Sequence, residues 1–278
     1  MSHNGAGGVR LDGASAPVTV EDCTLTGNTS FGIGAFSSGA IILQNQVRDT
    51  VADAQGAADG VVAAQNDDGQ GNVGAASAIT VKDNAISGSG RVGILCGAGA
   101  GGIILQDNQI QGAAATAAFG AGIWLQQGAG GVAGNVIEMN TVSGSRFVGV
   151  GLSGDTHGII LQNNTISGTT AGTTFAGVQE VSIGDGINAF GGATAGISGN
   201  TITGSARYGV VLDAVGAALS LGGNTIEKSD QNAIILQNQA DQPAIGANSF
   251  LGNGTDGLTT IGAGEQAVGI VTADFQMK

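Results

Sequence analysis

The chain has 278 residues, of which 53 are glycine and 10% are charged. Its 42% hydrophobic residues and the lack of a Gly-X-Y period exclude collagen and a disordered chain. The net charge of −13 argues against a nucleic-acid partner, because a phosphate backbone would be repelled and the few basic residues are scattered. No apolar run reaches the length of about 18 residues that predicts a membrane-spanning helix.

The first residues, MSHNGAGGVRL, lack the basic and apolar stretches of a signal peptide. They lead directly into patterned sequence, so we expect residues 1–278 to be a single domain and a segment of a longer secreted protein. Cys23 and Cys96 permit one disulfide at most, and they fall at different positions of the repeat described next. We expect buried free thiols.

One phrase recurs along the chain. It contains an asparagine, which we call the anchor, with one apolar residue three positions before it and another two positions after it. A glycine usually stands four positions after the anchor. Cys23 holds the anchor position in the first copy, and the residue two positions after the anchor is apolar in every copy. The anchors are Asn45, Asn84, Asn108, Asn140, Asn164, Asn200, Asn224 and Asn248.

The spacing of the anchors predicts a solenoid. Starting from Cys23, the intervals are 22, 39, 24, 32, 24, 36, 24 and 24 residues. The short interval is one coil of three strands and three turns, and the longer ones are coils with loop insertions. The insertions follow Val47, Ile110 and Ile166 and end at Gly60, Gly122 and Gly186. Since they occupy one position of the repeat, we expect all three on one edge.

A second phrase follows each anchor and reads Gly-φ-x-φ, where φ is apolar, as in Gly93-Ile94-Leu95-Cys96 and Gly209-Val210-Val211-Leu212. Apolar residues with a period of two predict short strands with one buried face. Such strands bury a continuous core only when coils stack. The sequence therefore predicts an all-β solenoid of about 10 coils.

The phrases ITVKDNAISGSGRVGI, GISGNTITGSARYGV and IILQNNTISG resemble the right-handed parallel β-helix repeat of the pectate-lyase-like superfamily. The resemblance covers essentially the whole chain and implies the fold rather than an activity. The wording VRDTVADAQGAADGV is similar to that of large bacterial surface β-helix proteins, myxobacterial ones in particular.

The anchors predict an internal asparagine ladder, because an Asn at a fixed turn can bond its own turn and its copies above and below. The central residues of the Gly-φ-x-φ strands should point outward, and several are apolar. Three interpretations of this association stripe stay open: the insertions cover it, it self-associates, or it lines a ligand groove. None of the insertions should reach Val211 or Ile235, which we expect to contact another chain. The stripe is Val62, Leu95, Trp124, Val211 and Ile235.

Candidate catalytic residues are few. Asp67 and Asp68 could form an acid pair in a polar turn, and His157 could act as a base, but the pattern favours a solvated turn over either role. Enzymes of the resembled superfamily pair acidic Ca²⁺ ligands with a basic residue or use clustered aspartates. No motif here indicates Ca²⁺, another metal or a cofactor. Arg91, Arg146 and Arg207 occupy equivalent turn positions, which favours structural pairing with carbonyls or acids.

Two functions remain open. The first is a non-catalytic structural, adhesion or assembly solenoid of a bacterial secreted or surface protein, in contact with polysaccharide or with itself through the apolar face or open coil ends. The second is a polysaccharide lyase or glycoside hydrolase, with acids of the insertions converging on the loop-bearing edge. Ligand contact there would use Trp124, a flat ring suited to a sugar, together with Arg48, Asp53 and Asp59. Both functions imply an extracellular or cell-surface location.

Overall fold

A computed structural model describes residues 2–12, 17–36, 39–64, 66–67, 73–74, 77–97, 99–113, 120–126, 135–154, 156–176, 179–239 and 242–261. For residues 66–67, 73–74, 173–176 and 179–181 only the backbone is described. This part of the chain is all β and contains no helix long and apolar enough to cross a membrane.

The strands of the first half are β1 (Val9–Asp12), β2 (Val18–Glu21), β3 (Thr24–Thr26), β4 (Ser30–Phe36), β5 (Ala40–Leu43), β6 (Gln46–Arg48), β7 (Ala58–Ala63), β8 (Asn66–Asp67), β9 (Val73–Gly74), β10 (Thr80–Lys82), β11 (Ala85–Ser87), β12 (Val92–Cys96), β13 (Ile104–Gln106), β14 (Gln109–Gln111), β15 (Ala121–Leu125) and β16 (Asn135–Glu138). Those of the second half are β17 (Thr141–Ser143), β18 (Val148–Leu152), β19 (Ile159–Gln162), β20 (Thr165–Ser167), β21 (Gly172–Ala176), β22 (Gln179–Ile183), β23 (Asp185–Phe190), β24 (Ala195–Ser198), β25 (Thr201–Thr203), β26 (Val210–Asp213), β27 (Ser220–Gly222), β28 (Thr225–Glu227), β29 (Asn232–Gln237), β30 (Ala244–Ile245), β31 (Ser249–Leu251) and β32 (Thr255–Ile261).

Three parallel sheets run the length of the molecule. Sheet I has the order β2-β5-β10-β13-β16-β19-β24-β27-β30, sheet II β3-β6-β11-β14-β17-β20-β25-β28-β31, and sheet III β1-β4-β7-β12-β15-β18-β23-β26-β29-β32. The chain passes through I, II and III in turn and then begins the next coil. With ten strands in sheet III, the fold is the predicted parallel β-helix of about 10 coils.

The core lies between the sheets. Its rows are the inward positions of successive coils, such as Val81, Leu105, Ile137 and Leu161 of sheet I. Ile42 belongs to this row, paired with Val81, and Ile41 is the outward residue of its strand. In a run of adjacent isoleucines either alternation satisfies the period of two, so the sequence pattern alone does not say which of the two faces inward.

The anchors form the predicted ladder at the turn between sheets I and II. Each anchor amide Nδ2 donates to the Oδ1 of the next anchor, as from Asn140 to Asn164 at 3.0 Å and from Asn164 to Asn200 at 2.9 Å. The backbone N–H of each anchor donates to the same oxygen. The ladder satisfies buried backbone groups that a tight turn leaves unpaired, which explains why the amide recurs.

The glycine of the second phrase is required by close packing between coils. A Cβ on Gly60 would lie 2.4 Å from Cγ2 of Ile86 and 2.6 Å from the carbonyl oxygen of Gly93. Those atoms belong to the next coil, so any side chain here would push the coils apart.

The insertions connect sheet II to sheet III, as predicted. They lie between β6 and β7, between β14 and β15, and between β20 and β23. The last contains an antiparallel hairpin of β21 and β22. The first long coil is also extended at the following corner, where β8 and β9 pair antiparallel between sheets III and I.

Candidate functional site on the loop-bearing face

The first insertion is held by two aspartates. Asp53 accepts hydrogen bonds from the backbone N–H groups of Gln55 and Ala57, both at 2.9 Å, in an Asx-type turn. Asp59, at the start of sheet III strand β7, accepts from Nε of Arg91 at 2.8 Å and also from its Nη2. Arg91 belongs to the next coil, just before β12. The insertion is therefore fixed to the coil that follows it.

The Asp59–Arg91 pair is buried, and Asp59 is 1% exposed. Burial raises the pKa of the Asp59 carboxyl, against the hydrogen bond and the charge of Arg91. Burial alone would lower the pKa of Arg91, but the hydrogen bond and the charge of Asp59 raise it, so the guanidinium stays charged. Since each charge needs the other inside the protein, neither group is available to a substrate.

The third insertion ends in the same way. Asp185 opens strand β23 and accepts from Nε of Arg207 at 2.7 Å and from its Nη2. Nδ2 of Asn188 donates to Asp185 at 2.9 Å. Asp185 is 0% exposed, and Arg207 again comes from the following coil, just before β26. Two of the three equivalent arginines thus pair with acids, as their shared position predicted.

The second insertion has no such pair among the described residues. At the register position of Asp59 and Asp185 its strand carries Ala121. The next coil supplies Phe147, fully buried against a second apolar cluster outside sheet III, and the guanidinium of Arg146 lies 5.1 Å from the Phe147 ring centroid. An aromatic side chain occupies the place where the other coils use an ion pair.

The association stripe is covered within the chain. Val62, Leu95 and Trp124 pack in this second cluster with Phe31, Phe36, Phe147 and Ile183. Trp124 is 1% exposed, and its ring lies over Gly151, where a Cβ would be 2.0 Å from Cε3. Phe190 lies beside it with ring centroids 6.0 Å apart. Because its ring is buried, Trp124 is not an open platform for a sugar.

The expectation that Val211 and Ile235 remain uncovered is wrong. Both are buried by the chain itself, at 0% and 2% exposure. The sequence argument considered only the insertions as cover for the outward face of sheet III. Val211 and Ile235 are buried although their own coils carry no insertion.

Of the remaining candidates, Arg48 and His157 lie at different places on the coil. Arg48 lies on sheet II, exposed and bonded through Nη2 to Oε1 of Gln46, on a different face from Trp124. Nδ1 of His157 lies 3.3 Å from Oγ1 of Thr194 on an exposed turn between sheets III and I. The backbone of Asp67 is in β8; its side chain and all of Asp68 lie outside the described residues.

Asp59 and Asp185 are four strands apart in sheet III, which corresponds to about 19 Å at about 4.8 Å per strand. Glycoside hydrolysis requires carboxylates about 5–10 Å apart. Sequence reasoning missed that each acid takes its arginine from the next coil. The sequence contained a signal for this pairing. Each acid directly precedes the glycine of its Gly-φ-x-φ phrase, in Asp59-Gly60 and Asp185-Gly186, and each arginine stands two residues before the corresponding glycine of the next coil.

Residues 1–166 match the family described as "Right handed beta helix region". Residues 103–268 match the family described as "Periplasmic copper-binding protein (NosD)". The chain belongs to the right-handed β-helix and NosD families. A search of curated proteins finds no match to the sequence.

Solved structures share the fold of this β-helix protein at low identity. The periplasmic alginate epimerase AlgG aligns with a TM-score of 0.57 and 12% identity over 84% of this chain and 51% of its own. The catalytic unit of a GH87 α-1,3-glucanase from Streptomyces thermodiastaticus strain HF3-3 aligns with a TM-score of 0.52 and 14% identity over 91% and 63%. The chain thus spans about half of the epimerase.

The NosD description raises the question of copper. Copper prefers thiolate, thioether and imidazole ligands. Within residues 103–268 these are limited to Met139 and His157, which lie at different corners of the coil. Across the described residues, no three His, Cys, Asp or Glu side chains group so as to hold a metal ion. Cys96 is buried in sheet III, and burial raises the pKa of its thiol to about 12. These residues do not fit a copper centre.

Proposed function

We propose that the chain is a non-catalytic structural and adhesion module of a bacterial secreted or surface protein, and that it contacts neutral polysaccharide. The observation that carries the non-catalytic part is the engagement of the acids on the loop-bearing face. Asp53 closes its own turn, and Asp59 and Asp185 are held in buried ion pairs. An acid or nucleophile in catalysis must reach a substrate atom, and burial with an arginine keeps Asp59 and Asp185 from doing so.

The surface that suits a polysaccharide is the outer face of sheet II, which we call the open hydroxyl face. Between Arg48 of β6 and Glu227 of β28, the outward side chains of five successive strands carry no charge. They are aligned in register and include the threonine column Thr141, Thr165 and Thr201. In a chain with a net charge of −13, this face offers hydrogen bonds without repelling or attracting ions.

The alignment of this face favours an extended partner. Its coils repeat at about 4.8 Å, so a long chain lying along the axis meets the same donors and acceptors repeatedly. Each contact is weak in water, and affinity comes from their number. The similarity in fold to an alginate epimerase and an α-1,3-glucanase supports an extracytoplasmic, polysaccharide-related role.

The test combines binding with a search for products. The purified chain is co-sedimented with insoluble α-1,3-glucan, and with alginate gel as the charged comparison. We expect retention on the glucan, weaker retention on alginate, and no release of reducing ends or unsaturated sugars from either. Thr165→Lys with Thr201→Lys should reduce retention several-fold, while Ser220→Lys, at an exposed position of sheet I, should not. Product release would support the carbohydrate-active enzyme instead, and equal loss in both variants would refute the proposed face.

A further inference from the structure

The outer face of sheet I carries an exposed apolar stripe. In the adjacent strands β13, β16 and β19, the outward residues Ile104, Val136 and Ile160 lie side by side in register. Ile104 is 38% exposed and Ile160 is 42% exposed, whereas the inward Leu105 and Leu161 of the same strands are 0% exposed. Contiguous exposed apolar side chains, unlike isolated ones, mark an interaction surface.

The row that contains this stripe is symmetric about β13. Ile104 of β13 is its centre. On either side of Ile104 stand Thr80 and Val136, whose side chains have nearly the same size and shape. One strand further out stand Ile41 and Ile160. The row therefore presents an apolar or methyl-bearing side chain on five successive strands, and it has the same pattern when followed in either direction.

A second outward row, two residues further along each strand, adds charges to this pattern. Gln106 of β13 is its centre, with Lys82 of β10 on one side and Glu138 of β16 on the other. Among the outward side chains of β5, β10, β13, β16 and β19, all of which the structure describes, only these two are charged. Lys82 and Glu138 are two strands apart, or about 10 Å, which is too far for a salt bridge within one chain.

We propose that sheet I is a contact surface between two copies of this chain, related by a twofold axis that runs parallel to the strands and passes over β13. Such an axis reverses the order of the coils and keeps the direction of the strands, so each residue faces the one at the same distance on the other side of β13. Ile104 faces Ile104 of the second copy. Ile41 faces Ile160, and this contact occurs twice. Lys82 faces Glu138, also twice, so each charge meets its opposite.

The size of the contact predicts a weak dimer. From β5 to β19 there are four strand spacings, about 19 Å along the axis, and a strand of four residues such as β5 is about 13 Å long. This area is well below the roughly 800 Å² per partner of a stable interface, so we expect a dimer that forms only at high concentration. The five strands carry no net outward charge in a chain with a net charge of −13, which favours this face for the approach of a second copy.

Sedimentation velocity of the purified chain over a concentration series tests the dimer. We expect a reversible shift from monomer to dimer. Ile104→Asp places two carboxylates against each other on the axis and should raise the dissociation constant by more than about tenfold. The matched control is Ser220→Asp, at an exposed position of the same row in β27, outside the five strands. It adds the same charge and should leave the dissociation constant within about twofold of the wild-type value.

An exchange of charges tests the position of the axis. Lys82→Glu alone, or Glu138→Lys alone, places like charges opposite each other twice and should weaken the dimer about tenfold or more. The double variant with both changes should restore dimerisation, because opposite charges face each other again. A merely structural effect of either residue within one chain would not produce this rescue. Melting temperatures of the variants establish that the monomers remain folded.

Three results would overturn the proposal. The first is a wild-type chain that sediments as a monomer at about 1 mM. The second is a dimer that Ile104→Asp does not weaken, since the contact would then lie elsewhere, for example at the end coils. The third is a double charge variant that associates no better than the single ones. The contact leaves sheet II free, so Thr165→Lys with Thr201→Lys should dimerise as the wild type does, and either proposal can fail without the other.

Discussion

The first and third insertions close on a buried ion pair, whereas the second closes on an aromatic side chain. All three leave the same edge and return to the same position of sheet III. In the first and third, Asp59 and Asp185 stand at that position and take an arginine from the next coil. In the second, Ala121 stands there and Phe147 fills the space. The difference shows that a repeat can fix the place where a loop returns by either charge or packing.

The stability of the two kinds of closure, by an ion pair and by an aromatic side chain, should respond very differently to loss of the arginine. Arg207→Met leaves the carboxylate of Asp185 buried and uncompensated, so we expect a loss of about 3–5 kcal/mol in the free energy of unfolding. Arg146→Met removes a cation beside the Phe147 ring and should cost about 1 kcal/mol or less. Denaturant unfolding of both variants measures the contrast. Equal losses would mean that the ion pair is no stronger a closure than the aromatic contact.

Removing both charges of one pair should restore most of the stability. We expect Asp59→Leu with Arg91→Met to unfold within about 1 kcal/mol of the wild type, although each single change costs about 3–5 kcal/mol. The reason is that the double variant buries no uncompensated charge. It would also convert the first insertion to the apolar closure of the second. A double variant as unstable as the worse single would show that the pair has a role that packing cannot replace.

The smallest expected effect concerns pH and the first insertion alone. Burial would raise the pKa of Asp53, but hydrogen bonds from Ser30 and from the amides of Ala57 and Gln55 hold it below its ordinary value of 3.8. Because the folded-state pKa is the lower one, the ionised carboxylate stabilises the fold above pH 3.8. That contribution is lost as the pH falls through the folded-state pKa.

Asp53→Asn should accordingly lower stability by about 0.5 kcal/mol at neutral pH and leave it unchanged at about pH 2. Thermal unfolding at the two pH values measures the difference. Asp230→Asn, which changes an exposed acid in another turn, serves as the control for a general charge effect. A loss of the same size at both pH values would show that Asp53 acts through shape rather than charge.

The regular parts of this molecule could be predicted from the sequence because they repeat. The anchors, the inward rows and the glycines of the Gly-φ-x-φ phrases each occur in many coils, so the other copies correct an error made in interpreting one of them. Ile42 shows the limit, since a pair of adjacent isoleucines fits either alternation. The pairing of Asp59 with Arg91 joins residues 32 apart that occur in only some coils. Periodicity carries no information about such a contact, and it carries none about Val211 and Ile235, whose burial depends on the folded chain as a whole.

The asparagine ladder also has an electrical direction. Each anchor from Asn45 to Asn224 donates through its Nδ2 and its backbone N–H to Oδ1 of the anchor in the following coil. The side-chain amide dipoles therefore add along the axis, as peptide dipoles do in an α-helix, with the N–H ends facing the C-terminal coils. Each amide polarises the next, so the row is a continuous dipole inside a low-dielectric core. The coil before Asn45 already supplies a hydrogen, because the backbone N–H of Cys23 donates to Oδ1 of Asn45. A coil joining the ladder after Asn248 would have to present an oxygen.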